Sequence, residues 1–67
     1  MDENNIGLLD DAYQETFEEA VDRGVSKLEA HKEAVVAASM MLSALTSVED
    51  DDARQQVIAL NFRPNVD

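Results

Sequence analysis

The chain has 67 residues, 45% of them hydrophobic and 30% charged, with 15 acidic against 5 basic side chains, no cysteine and a net charge of −10. One small domain is the most this length supports, and disulfides and cysteine-type zinc sites are excluded. The negative balance repels nucleic acid and anionic lipid over most of the surface, so direct DNA or RNA binding is not expected. Too much Leu, Ile, Val and Phe is present for a disordered acidic tail. Met1 to Asn5 carries no basic and apolar leader pattern, and no apolar run reaches the ~20 residues of a membrane span. A cytoplasmic, soluble protein with no membrane contact is the resulting expectation.

Residues 1–7 are read as a flexible N-terminus. The first predicted helix covers about residues 8–23. Leu9, Tyr13, Phe17 and Val21 recur every four positions, with Ala12 and Ala20 beside them, which is the ridge of an amphipathic helix. Asp11, Glu15, Glu18 and Asp22 share the opposite face. Residues 1–22 hold eight acids and no base. The plain reading of this stripe is a solvated face. The sharper one is docking onto a basic protein, in the limit mimicry of a nucleic acid. Gly24 supplies the residue able to end the helix at positive φ.

The second helix is predicted over about residues 27–46. Ser26 caps it, with Glu29 three residues on in capping-box spacing. Leu28, Val35, Ala38, Met41, Leu42 and Leu45 are assigned to its inward face. Val36, Ala37, Met40 and Ala44 form a second apolar strip on roughly the other side. A helix apolar nearly all round is usually central and buried, and two short neighbours cannot cover all of it. Self-association through Val36, Ala37, Met40 and Ala44 is therefore expected.

The third helix is predicted over about residues 48–61, with Ser47 as its cap and Glu49 to Asp51 in its first turn, where the helix dipole favours carboxylates. Val48, Ala53, Val57 and Leu60 point inward, with Ile58 flanking. Residues 62–67 form a C-terminal tail, since Pro64 stops any helix, and Phe62 folds back on the core. The acidic run lacks the alternating ligands and turn glycine of a calcium loop. His31, the single histidine, has no metal-ligand spacing around it and is read as a rim residue of a helix contact. No cofactor, metal or catalytic constellation is expected, and a helix-turn-helix is rejected because its reading helix would open with acids.

These readings converge on an all-α protein, a small three-helix bundle with a long central helix completed by dimerisation. The function expected is a small acidic interaction module, a homodimer that binds and modulates a protein partner. The alternative is an acidic nucleic-acid mimic that inhibits a DNA- or RNA-binding protein.

Overall fold

The computed structural model describes residues 3–65. It is all-helical, with three helices: α1 (Glu3–Asp22), α2 (Lys27–Thr46) and α3 (Asp50–Leu60). Among the described residues there is no strand, and no helix is long and apolar enough to cross a membrane.

The helix boundaries follow local chemistry, with two corrections. α1 starts at Glu3, so the part of the expected flexible N-terminus that is described, from Glu3 to Gly7, is helical. Gly7 sits in this helix with nothing within 4 Å of the place a Cβ would take. At the other end Gly24 adopts φ 92°. Its N–H donates to Val21 O and that of Val25 to Ala20 O, the pair of bonds with which a glycine closes a helix. Ser26 caps α2 as read, its Oγ accepting from Glu29 N at 3.2 Å. The second correction is Ser47. It ends α2 in the left-handed region (φ 61°), its N–H donating to Ser43 O. Glu49 takes the cap position of α3 without a side-chain bond, so α3 begins two residues later than read. Ser47 is spent on bending the chain, and Asp50, Asp51 and Asp52 meet the dipole of α3 instead.

α2 is the middle element. α1 packs along one side of it and α3 along another, while α1 and α3 do not pack helix to helix. Leu9, Tyr13, Phe17 and Ala20 of α1, Ala30, Ala34, Val35, Ala38 and Leu42 of α2, and Ala53 and Val57 of α3 form the buried core. Val21, Val25, Val48, Leu60 and Phe62 pack against it. The segment after α3 returns to α1. Phe62 lies 5.8 Å from Tyr13, ring centre to ring centre. The Gln14 side-chain amide donates to Arg63 O at 2.8 Å and accepts from Asn65 N at 2.9 Å. One glutamine thus ties the segment to α1 and closes the side of the core that α3 leaves open.

The inward face of α2 differs from the expected one. Val35, Ala38 and Leu42 are buried, but Leu28, Met41 and Leu45 are exposed, and Ala30, Ala34 and Ser39 are buried in their place. The buried row of α2 runs 30–34–38–42, with Val35 and Ser39 beside it. A four-residue step advances about 40° round the helix, so the row ends on Leu42 and leaves Met41 and Leu45 beside it. Leu28 stands 64% exposed in the first turn of α2, near the segment that follows α3. Arg63 and Pro64 are what border Leu28 on that side. Ala30, Ala34 and Ala38 are fully buried along this row, which the hydrophobicity of single positions does not reveal.

Candidate docking site

Each helix has one face turned from the core. On α1 it is Asp11, Glu15, Glu18 and Asp22, all exposed. On α2 it is the second apolar strip. At about 100° per residue, Val36, Met40 and Ala44 fall within an arc of about 80°, with Ala37 at its edge. Val36 is 38% exposed and Met40 64%. Ala44 is exposed and Ala37 partly covered. The residues singled out for contact therefore do share one accessible face, and so do the four carboxylates of α1.

The strip is a ridge between two grooves. Towards α1, Val36, Ala37 and Met40 face Thr16, Lys32 and Glu33 across a hollow of about 330 Å³. Towards α3, Val36, Ser39 and Met40 face Asp50, Asp51 and Arg54 across one of about 230 Å³. The groove walls are what sequence reasoning missed. Thr16 and Arg54 reach the strip only through the register of α1 and α3 against α2, and no spacing along the chain encodes that.

Charge is distributed unevenly around the two faces. The α1 face carries no base. The strip is bordered by Lys32 and Arg54, and Glu33 on its rim is neutralised by Arg23, Nη2 to Oε1 at 2.7 Å. Lys32 also lies 3.7 Å from Glu29. Three of the chain's five bases thus stand at or behind this one rim.

Four polar side chains of the helix contacts, Tyr13, His31, Ser39 and Ser43, are engaged in hydrogen bonds. The Ser39 hydroxyl donates to Val35 O and that of Ser43 to Val48 O, both at 2.7 Å. Tyr13 Oη and His31 Nδ1 share a hydrogen bond of 2.7 Å, donated by the hydroxyl when the neutral ring carries its proton on Nε2. The rings meet edge to face at 5.6 Å. His31 is thus a half-buried member of the α1–α2 contact. Burial pushes the Tyr13 hydroxyl above its ordinary range. Nearby Arg63 opposes the rise and is outweighed, while Asp10 adds to it. Among the described residues no three histidine or carboxylate side chains are grouped so as to hold a metal ion.

Compared with known protein families, with characterised proteins and with solved structures, the chain matches none of them.

Proposed function

We propose that this chain is a small acidic interaction module that acts by binding protein through the outward face of α2, and not by catalysis. The observation that carries the reading is Met40. A large apolar side chain 64% exposed on the middle of a helix, flanked by Val36 and by two grooves with polar and charged outer walls, is a contact surface awaiting cover. Small soluble domains seldom leave contiguous apolar patches in water without a use for them. Engagement of Ser39, Ser43 and His31 in structural bonds supports a binding role over a catalytic one.

A second reading rests on the α1 face. Four exposed carboxylates with no base among them suit a basic protein, including one that ordinarily grips nucleic acid. A photo-crosslinking residue placed at position 40, and separately at position 15, tests both in the native cell. The α2 reading expects a discrete adduct from position 40 that Val36→Lys abolishes. Adducts only from position 15 would transfer the function to the acidic face, and silence at position 40 ends the α2 reading.

A further inference from the structure

We propose that the hollow between the first turns of α2 and the segment after α3 binds a small apolar monocarboxylate, a medium-chain aliphatic acid in its anionic form. The site lies apart from the α2 strip and is independent of it.

Positive charge gathers there against the trend of the chain, which has 5 bases and 15 acids. Lys27, His31 and Arg63 line a hollow of about 350 Å³ together with Phe17, Leu28 and Pro64, and no carboxylate is in its wall. A smaller hollow of about 150 Å³ shares His31 and Arg63 with it, and Val35, Val57 and Ile58 make its apolar side. The two grooves along the α2 strip differ, since each includes an acid: Glu33 in one, Asp50 and Asp51 in the other.

Local geometry keeps these groups available. Lys27 and His31 are one turn apart and about 40° apart round α2. Glu29 lies about 160° round the helix from His31 and is taken up by Lys32 at 3.7 Å. Among the described residues neither Lys27 nor Arg63 makes an ion pair. Arg63 is held over the hollow by Gln14, which bonds its carbonyl and the N–H of Asn65. One guanidinium N–H donates to Phe62 O at 2.9 Å, and the other donors of the fork have no partner among the described residues. Tyr13 Oη donates to His31 Nδ1 when the ring proton is on Nε2, so the far edge of the ring presents an N–H. Asp10, the acid that acts on Tyr13 alongside Arg63, accepts from Gln14 at 3.1 Å and does not line the hollow.

The lining selects the ligand. Two cations and an N–H donor match a carboxylate, whose two oxygens suit the fork of Arg63. Leu28, Pro64 and Phe17 match an apolar body. The wall has no hydroxyl or side-chain amide to pair a peptide group, so that body is apolar throughout. The rest of the molecule limits the ligand's charge. A chain of net charge −10 repels an approaching anion in proportion to that anion's own charge. A nucleic acid or a polyacidic peptide meets this repulsion many times over, and a monocarboxylate once. Ligand sites span roughly 300–1,000 Å³, and a hollow at the low end takes an acid of about eight carbons. With so few atoms the affinity is weak, on the order of hundreds of micromolar.

Octanoate titrated into the whole isotope-labelled chain, followed by two-dimensional NMR, tests this. Saturable shifts confined to residues 27–31 and 62–65 are expected. Lys27→Gln and Arg63→Gln should each weaken binding several-fold with unchanged helical circular dichroism, both side chains being exposed. Gln14→Ala should weaken it too, since Gln14 positions Arg63 without touching the ligand. Arg54→Gln, which removes the same charge from the α3 side of the strip, should leave the affinity as it was. Octanol, with the same chain and no charge, should bind on the order of tenfold more weakly. The proposal is overturned by a lack of saturation up to about 10 mM, by shifts centred on Met40, by octanol binding as tightly as octanoate, or by equal losses from Arg54→Gln and Arg63→Gln. N-acetyl-leucyl-leucine binding more tightly than octanoate would overturn it in favour of a peptide end.

Discussion

The outward faces of α1 and α2 occupy equivalent places, each on the side of a 20-residue helix that points away from the same core. Their chemistry differs, although Leu8, 46% exposed, lies on the same arc of α1 as Asp11 and Glu15. The α1 face presents Asp11, Glu15, Glu18 and Asp22, and the α2 face Val36, Met40 and Ala44. Solubility asks only for the first kind, and a helix turned to water has no need of the second. An apolar residue facing the core is explained by folding, whereas Val36 and Met40 face outward in the same helix, and a contact beyond the chain is the use proposed for them. The contrast between two faces of one molecule is thus better evidence for a docking surface than the apolarity of α2 taken alone.

The contrast holds only if the inward rows carry the stability, and that is where the largest effect is expected. Phe17 is buried against α2, so Phe17→Ala should cost about 3–5 kcal/mol. Glu18→Ala, one position away on the outer face, should change stability by no more than about 0.5 kcal/mol. Urea denaturation of the two variants measures both, and equal costs would mean that α1 is rotated from the orientation described.

The α1–α2 seam is sharpened by Tyr13 and Ser26. Tyr13→Phe removes the bond to His31 and should cost about 1 kcal/mol. Tyr13 ionises above its ordinary value in the folded chain, so the unfolded chain loses this proton first as the pH climbs. Its contribution is fully present below about pH 10 and is lost as the pH rises through the folded value. Tyr13 is the chain's single tyrosine, so an ultraviolet tyrosinate titration reads this site directly; a midpoint at the free-tyrosine value would show the hydroxyl to be solvated. Ser26→Ala should likewise lower stability by about 1 kcal/mol through loss of the α2 cap, and an unshifted denaturation midpoint would mean that α2 starts elsewhere.

Gly7 tests how far α1 extends. It is exposed inside the helix with room for a methyl group, so Gly7→Ala should raise the melting temperature through a gain of about 0.5–1 kcal/mol. No gain would return residues 3–7 to a non-helical start. The smallest effect belongs to the acidic face. Glu15→Gln together with Glu18→Gln should stabilise by a few tenths of a kcal/mol at low salt, since each removes repulsion from neighbouring acids. Melting curves at high salt should show the difference vanish. Replacement of Val36 by Ser, by contrast, should show no such salt-dependent gain.

Local chemistry made much of this molecule legible in the sequence. Four-residue apolar spacing defined the buried edge of α1 at Leu9, Tyr13 and Phe17. Gly24 and Ser26 marked the first turn because positive φ and an unpaired helix N–H each select a narrow set of residues. The acidic face of α1 and the strip of α2 were both readable from helix phase. Other features depend on partners far away along the chain. Which edge of α2 is inward was decided by packing, which buries Ala30, Ala34 and Ala38 while Leu28, Met41 and Leu45 stand outside despite their hydrophobicity. The role of Ser47 was settled by the bend needed to lay α3 on α2. Gln14 holds Arg63 and Asn65 across about fifty residues, and Thr16 and Arg54 reach the strip only through helix register. Periodicity and capping belong to a few neighbouring residues, so the sequence by itself determined them. Which of several apolar edges is covered, and what stands beside the one left open, is a property of how whole helices fit together, and only the tertiary structure decided it.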